Sequence, residues 1–408
     1  MRRVYFASDH IITSLGFTTE ANARQIQEGN IGIKVLEAQS LSPGPVAYSA
    51  VNSDELEKQF VYFLKKSGIS ASEISFTRLE KMFLVSIAGA LENSTIDPRD
   101  PRTIMVFSTT KGNIDGLVNK STIDHRPIDH RPSTIDHRQS RILLWELAGF
   151  IARLFNCSNR PIVISNACTS GSVAIIVAAR LIASGQYDHA IVSGGDIVSE
   201  FVISGFQSFQ ALSPEACRPF DAGRKGLSLG EGCGTIILTG DQSLAGAGKP
   251  VAYLGGATSN DANHISGPSR DGEGLYLAIA AAMKEASATA GDLDYISAHG
   301  TATPYNDEME SLALARAGLD QVPVNSFKGY IGHTLGAAGV IETILSVYSI
   351  RNGILFKSAG YLKNGVSKPL NIITENIHQP VRRILKTASG FGGCNAGLVI
   401  GYWLLGIG

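Results

Sequence analysis

The sequence is poor in charge and in cysteine. Asp, Glu, Lys and Arg make up only 17% of its 408 residues, and the net charge at pH 7 is −1. A chain this close to neutral has no global attraction for nucleic acid or for a membrane surface, so a charged partner must be met by a local patch. Its five cysteines show neither a paired framework nor Cys-x-x-Cys spacing, which predicts reduced thiols, with no disulfide and no zinc site.

Long apolar runs are also absent. The stretch from Met1 to Phe6 has no h-region of signal-peptide length, and the longest apolar runs, including 398–405, fall well short of the roughly 20 residues that a bilayer span requires. We therefore expect a cytoplasmic protein with no membrane span. What is present is a hydrophobic content of 44%, enough for a large core in two domains or in one large duplicated domain.

Short buried strands alternate with helical patterns along the chain. Helices are predicted over residues 19–28, 77–92 and 142–155, and a buried strand over 103–107. This alternation predicts an α/β fold, in which functional groups gather at the C-terminal ends of strands.

Residues 121–138 interrupt this alternation with a short internal repeat. Ile-Asp-His-Arg occurs there three times, twice followed by proline, which predicts an exposed loop. The three histidines could hold a metal, but imidazoles on a flexible loop lack neighbours that fix their orientation. We therefore predict a solvated loop without a metal site.

Cys168 stands where an apolar strand, 161–164, gives way to a helix that is apolar on every face, 173–182. A free thiol is only a few per cent ionised at pH 7, and half ionisation needs its pKa to fall by about 1.5 units. The N-terminus of a helix can supply roughly that in a partly buried site. The alternative is that Cys168 is a small core hydrophobe, as buried free cysteines usually are, and this stretch alone leaves both interpretations open.

The second half of the chain repeats the order of motifs found in the first half. The motif Cys168-Thr-Ser-Gly, followed by a helix that ends at Ser184-Gly, has its counterpart in His333-Thr-Leu-Gly, followed by an apolar helix that ends at Asn352-Gly. Both motifs follow a short predicted strand. The pattern therefore predicts a duplication that places the cysteine and the histidine at equivalent helix starts.

A link rich in Gly, Ala and Ser, residues 241–250, separates the two copies. We therefore divide the chain into residues 1–242, which carry the cysteine, and residues 243–408, which carry two histidines of interest. The second of these, His299, follows a predicted strand and opens a glycine turn. Taken singly, a histidine in a glycine turn is more often structural than catalytic.

Together, these motifs closely resemble those of the β-ketoacyl-acyl-carrier-protein synthases, the condensing enzymes of the thiolase superfamily. Ala-Cys-Thr-Ser-Gly at 167–171 matches the nucleophile motif, His-Gly-Thr-Ala-Thr-Pro at 299–304 the first histidine motif, and the segment 325–339 the second. One cysteine with two histidines resembles the elongating synthases. The resemblance implies a thiolase-like duplicated α/β fold of five layers, αβαβα, a homodimer, and an acyltransferase that needs no cofactor.

The resemblance also implies a decarboxylative Claisen condensation in fatty-acid, polyketide or polyene biosynthesis. Cys168 would take the acyl group from an acyl carrier protein, with the oxyanion held by the backbone N–H groups of Cys168 and Phe391. Malonyl-carrier protein would then lose carbon dioxide, and neutral His299 and His333 would stabilise the enolate that attacks the acyl-cysteine. The implied partner is therefore the acyl carrier protein, in its acyl and malonyl forms, and no nucleic acid.

Further positions receive roles from the same resemblance. Lys328 and Glu342 match an ion pair beside the histidines; we assign Lys328 an electrostatic role in catalysis, with a purely structural pair as the alternative. Solvated surface charge is the alternative for the positions matched to the carrier-protein surface. The remaining assignments are substrate-binding Thr301, Thr303 and Phe391, supporting Asp307, and the carrier-protein surface Arg78, Lys81 and Arg218.

Three departures from the family pattern accompany these matches. Residues 121–138 replace a segment that in the family helps to shape the dimer contact and the acyl tunnel, and Lys111 stands near a position that is often apolar there. Both changes touch the tunnel, whose length the family pattern therefore does not determine. Cys394 occupies a position where Thr or His is more usual, and the backbone role of its turn should survive this change.

Two other functions share the fold that the resemblance implies. A non-catalytic chain-length partner in a ketosynthase heterodimer lacks the nucleophile, so Cys168 with both histidines argues against it. A thiolase acting on coenzyme A esters relies on a second catalytic cysteine in the C-terminal half. The only cysteine there is Cys394, which falls in the oxyanion turn.

Overall fold

The computed structural model describes residues 2–36, 44–69, 74–118, 140–246, 248–264 and 267–403. The repeat predicted to be an exposed loop, 121–138, lies outside these ranges, so its exposure stays a prediction. The strands are β1 (Val4–Ile12), β2 (Lys34–Leu36), β3 (Val46–Ser49), β4 (Thr103–Ser108), β5 (Ile162–Ile164), β6 (His189–Asp196), β7 (Leu229–Gly230), β8 (Gly232–Thr239), β9 (Val251–Asn260), β10 (Tyr295–Ser297), β11 (Val324–Asn325), β12 (Ile354–Leu355), β13 (Ile377–His378), β14 (Arg383–Gly390) and β15 (Cys394–Tyr402). The α-helices are α1 (Thr19–Gln27), α2 (Ser53–Ser67), α3 (Arg78–Glu92), α4 (Asp115–Val118), α5 (Leu144–Leu154), α6 (Ser170–Ala183), α7 (Glu200–Ser208), α8 (Glu273–Glu285), α9 (Pro304–Arg316), α10 (Lys328–Ile331) and α11 (Ala338–Asn352).

Ten strands form one sheet, in the order β5-β4-β6-β8-β1-β9-β15-β14-β10-β11. In the first half of the chain β5, β4 and β6 are parallel, and β8 and β1 follow antiparallel. In the second half β11, β10 and β14 are parallel, and β15 and β9 follow antiparallel. The two halves, joined where β1 pairs with β9, therefore have the same topology, and the predicted duplication is confirmed.

Helices form three layers around the two halves of this sheet. α6 and α11 pack against each other between the halves, in a core to which both halves contribute strands. α3 covers the other face of the first half, and α8 covers the other face of the second. The result is the predicted order of five layers, αβαβα.

The central helices α6 and α11 pack so closely that the backbone of one contacts the backbone of the other. A Cβ atom on Gly171 would lie 2.7 Å from the backbone nitrogen of Val340, and one on Gly339 would lie 2.2 Å from that of Ser172. Both separations are too short for any side chain, so glycine is required at both positions. The crossing brings together the N-terminal ends of the two helices, and with them the turns that carry the cysteine and the second histidine.

Local signals account for the helix boundaries that the sequence predicted. α3 begins after Thr77, whose side chain and that of Glu80 form a capping box. α11 ends at Asn352 because Gly353 adopts a left-handed conformation, with φ of 61°. One difference concerns the duplication: the short α10 and a 3₁₀ turn, Leu335–Ala337, stand between β11 and α11, whereas α6 follows β5 without an added helix.

Candidate active site

Cys168 lies on the turn between β5 and α6, as predicted, and is 7% exposed. The preceding residue, Ala167, has a φ of +47°, a left-handed conformation that costs free energy for a residue with a side chain. Ser170 holds the turn closed, because its hydroxyl accepts from the N–H of Asn166 at 2.8 Å and donates to the carbonyl of Ala167 at 2.6 Å. The turn that positions the thiol of Cys168 therefore includes a backbone conformation that is unfavourable for Ala167.

Burial raises the pKa of Cys168 to about 12, against which the charge of Lys328 lowers it. Of the two interpretations left open by the sequence, burial thus opposes the one in which the helix start brings the thiol near half ionisation, since desolvation is the larger effect. The thiol is protonated at neutral pH. Its attack on a thioester must be coupled to loss of that proton.

The turn between β14 and β15 faces this thiol. The backbone N–H of Phe391 donates to the sulfur of Cys168, and a Cβ atom on Gly390 would lie 3.0 Å from the backbone nitrogen of Cys168. The backbone N–H of Phe391 and the backbone nitrogen of Cys168 therefore lie on the same side of the active site, beside the thiol, and their role as an oxyanion hole stays a prediction. The ring of Phe391 is fixed between Phe206 and Phe209, with ring centroids 5.5 and 5.1 Å away.

His299 and His333 come from different turns and meet beside the thiol. His299 follows β10, and His333 precedes the 3₁₀ turn that leads into α11. Their ring centroids are 5.2 Å apart with an interplanar angle of 83°, and their exposed fractions are 3% and 1%. The structure thus brings together the three residues that the sequence singled out.

Hydrogen bonds fix the tautomer of each imidazole. The Nζ atom of Lys328 lies 3.4 Å from Nδ1 of His299, and the N–H of Leu335 donates to Nδ1 of His333 at 3.3 Å. Since a cationic or amide donor faces Nδ1 in both rings, Nε2 carries the proton. Burial, followed by the charge of Lys328, holds the pKa of both histidines well below 6.5. Both rings are therefore neutral donors.

A buried cluster of three charged side chains lies behind the histidines. The Nζ atom of Lys328 lies 2.6 Å from one carboxylate oxygen of Glu342 and 2.6 Å from the carbonyl oxygen of His299. The other oxygen of Glu342 lies 2.7 Å from Nζ of Lys386. The predicted pair is therefore part of a triad. Lys386 was missed, although a lysine inside the apolar pattern of β14 was a visible signal in the sequence.

Two buried carboxylates shape the loop that carries His299. Asp307 accepts from the N–H groups of Thr301 at 2.9 Å and Phe220 at 2.7 Å, and burial raises its pKa to about 6. Glu310, which the sequence reasoning missed, accepts from the N–H of His299 at 2.8 Å. Asp307 thus holds the loop through these hydrogen bonds, and its supporting role in catalysis stays a prediction.

A cavity of about 360 Å³ joins these groups to the surface. Thr301 and Thr303 lie on its wall with hydroxyl oxygens 2.9 Å apart, and Tyr305, 79% exposed, stands at its mouth. The residues that line the cavity include Cys168, His299, Thr301, Thr303, His333 and Phe391. The arrangement suits a thioester that enters as a long arm past two hydroxyl groups.

The cations expected to form the carrier-protein surface do not lie on this wall. Arg78 forms an ion pair with Glu231, at 2.7 Å, and Lys81 pairs with Glu57. Arg218 lies 3.6 Å from Glu215. All three therefore already have acidic partners within the chain, and their role toward a carrier protein stays a prediction.

Two further findings concern the described part of the chain alone. In it, no group of three or more His, Cys, Asp and Glu side chains is placed to hold a metal ion. Among the same residues, no helix has the length and apolar character needed to cross a membrane.

Comparison with known proteins gives two family matches and a set of curated relatives. The model of the β-ketoacyl synthase N-terminal domain matches residues 11–243, and that of the C-terminal domain matches residues 252–361. A 3-oxoacyl-[acyl-carrier-protein] synthase 2 of Vibrio cholerae is 30% identical over 86% of this chain and 86% of its own. A mitochondrial 3-oxoacyl-[acyl-carrier-protein] synthase of Arabidopsis thaliana is 31% identical over 64% of this chain and 60% of its own.

Solved structures show the same fold over nearly the whole chain. A ketosynthase in complex with its chain length factor, from Xenorhabdus doucetiae, matches with a TM-score of 0.80 and 26% identity, over 98% of both chains. The ishigamide ketosynthase/chain length factor matches with a TM-score of 0.85 and 24% identity, over 99% of this chain and 100% of the other. The fold is therefore that of the thiolase-like ketosynthases.

Proposed function

Because this chain belongs to the β-ketoacyl synthase family, we propose that its site carries out a 3-oxoacyl-[acyl-carrier-protein] synthase reaction in two half-reactions. In the first, the sulfur of Cys168 attacks an acyl thioester, the thiol proton passes to the leaving thiolate, and the acyl group stays on the cysteine. In the second, a malonyl thioester loses carbon dioxide and its enolate attacks the acyl-cysteine. The products are a β-ketoacyl thioester and a cysteine thiolate, which takes a proton from solvent.

The observation that carries this proposal is the pair of neutral imidazoles. His299 and His333 line the cavity that holds Cys168, and each has Nδ1 occupied by an internal donor. The two Nε2–H groups therefore remain to donate to the developing enolate oxygen, in a site where both rings are almost fully buried. Carbon dioxide leaves without a strong base, so neutral histidines suffice.

We propose acyl carrier proteins as the donors of both thioesters. Incubation of the protein with an acyl-carrier protein and, separately, with the matching acyl-coenzyme A should acylate Cys168 from the carrier. Mass spectrometry of the peptide containing Cys168 measures it, and the Cys168→Ala variant is the blank. Acylation from coenzyme A alone would favour a thiolase. That reading also needs a second catalytic cysteine, but Cys394 does not lie on the cavity wall, and its thiol donates to Asn166 at 2.8 Å.

We further propose a homodimer formed around β5. This strand ends the sheet, and its three residues, Ile162–Ile164, are only half-buried. Leu143 and Trp145, at the start of α5, the helix that packs against β5, are 54% and 58% exposed. Among the residues that the structure describes, β5 has a neighbouring strand on one side only. Such an apolar edge invites pairing, and a two-fold contact closes it on both copies.

Sedimentation at micromolar concentration should therefore give twice the mass of the chain. Trp145→Glu should shift the equilibrium toward monomer, whereas Tyr305→Glu, at the cavity mouth, should not. A wild-type monomer at this concentration would count against the proposal. The cytoplasmic location also stays a proposal, to be tested by cell fractionation, since the Arabidopsis relative is named as mitochondrial.

A further inference from the structure

Lys386 is a fully buried lysine that the proposed reaction does not use directly. It lies on β14, four residues before the turn that carries Phe391, and its exposed fraction is 0%. Its Nζ atom lies 2.7 Å from the second carboxylate oxygen of Glu342. The carbonyl oxygens of Ser297, at 3.2 Å, and Thr387 also accept from it. The carbonyl oxygen of Ala298, at 3.5 Å, is a fourth and more distant acceptor, so the three donors of the ammonium group all have partners.

The triad therefore holds one negative and two positive charges. Lys328 occupies one oxygen of Glu342 and Lys386 the other. A carboxylate shared in this way leaves the triad itself with one net positive charge, which the nearby buried carboxylate of Glu310 offsets in part, in a place where screening by water and salt is weak. Burying such an excess charge is costly, so this charge lowers the free energy of unfolding.

The histidine pair lies close enough to respond to this charge. After burial, the charges of Lys328 and Lys386 both lower the pKa of His299 and of His333. A second proton on His299 would have to sit on Nδ1, which already faces the ammonium group of Lys328. A second proton on His333 would face the N–H of Leu335. The net charge of the triad thus opposes protonation of either ring at Nδ1.

We propose that Lys386 is a positioning residue for the decarboxylation step, because it gives the triad behind His299 and His333 a net positive charge. This charge attracts the carboxylate of the malonyl thioester and the enolate that replaces it. It also keeps both imidazoles as neutral donors at Nε2. The inference rests on the proposed function, and it assigns the second half-reaction, not the first, to this lysine.

Lys386→Met removes the charge and keeps most of the apolar stem. We expect decarboxylation of malonyl-carrier protein to fall about tenfold, since an effective interaction of about 1.4 kcal/mol with the charge is lost. With one cation fewer, both imidazoles become more basic, so the acid limb of the pH profile should move to higher pH. Acylation of Cys168 should change less than about threefold. Lys386→Arg, which keeps the charge, should keep the wild-type profile.

A double variant separates charge from packing. Lys386→Met combined with Glu342→Gln leaves Lys328 as the single charge, so the net charge of the site returns to that of the wild type. Decarboxylation and the acid limb should therefore recover in the double variant relative to Lys386→Met. If Lys386→Met does not fold, the double variant is compared with Lys386→Arg, and similar pH profiles support the proposal.

The inference is overturned if Lys386→Met decarboxylates at the wild-type rate with an unchanged pH profile, or if the double variant shows no recovery. It is also overturned if Lys386→Met and Lys386→Arg lose activity alike, because a structural role predicts that result. Failure of the proposed function is a separate outcome: the wild-type protein would then release no carbon dioxide from malonyl-carrier protein.

Discussion

The Cys168→Ala variant is expected to release carbon dioxide from malonyl-carrier protein while forming no β-ketoacyl product. The alanine has no nucleophile, so acyl transfer and condensation should fall by at least about 10⁴-fold. The groups that act on the malonyl thioester remain, because the hydrogen bonds of His299 and His333 and the ring contacts of Phe391 do not involve the thiol. Loss of one half-reaction with survival of the other is the signature to look for.

Two measurements on the same sample decide this prediction. Carbon dioxide release reports decarboxylation, and mass spectrometry of the carrier protein reports condensation. Cys157→Ala is the matched control, since this half-buried cysteine does not lie on the wall of the cavity, and it should behave as the wild type. A Cys168→Ala variant that still condenses at a near wild-type rate would refute the assignment of the nucleophile.

His299→Ala and His333→Ala are expected to fail in the opposite way. Each should keep some acylation of Cys168, because the N–H groups of Cys168 and Phe391 belong to the backbone and stay in place. Each should lose decarboxylation and condensation by about 10²- to 10³-fold, or about 3 to 4 kcal/mol, the usual cost of one oxyanion donor.

The exposed histidine of β13, His378, provides the control for this pair. His378→Ala should leave both half-reactions unchanged. Decarboxylation at the normal rate in either active-site variant would show that the imidazoles do not stabilise the enolate. Loss of acylation to the same degree as decarboxylation would show that they act in both steps, and the separation of roles would be wrong.

The central residues of the site could be predicted from sequence because Cys168 and His299 follow short apolar strands and His333 opens a motif that parallels that of Cys168. Cys168, His299 and His333 each stand in a recognisable local motif. The duplication that relates Cys168 to His333 is visible as repeated motifs. The fold follows from the same alternation. These features depend on residues a few positions apart in the chain, so they can be recognised from the sequence alone.

The residues that the sequence reasoning missed or misread depend on distant contacts. Arg78 looks like surface charge on a helix, but its partner Glu231 lies 153 positions further along the chain. Lys386 meets Glu342 only because β14 lies beside α11 in the folded protein. The pKa of Cys168 likewise depends on how deeply the whole fold buries it. No local pattern contains this information.

The glycine crossing of α6 and α11 makes catalysis a property of the entire chain. Gly171 stands three residues after the nucleophile, and Gly339 stands six residues after His333. A folding intermediate in which only one half is formed would contain either Cys168 without the two histidines or the two histidines without Cys168. Recovery of turnover during refolding should therefore coincide with the last step of assembly, however early each half acquires its secondary structure.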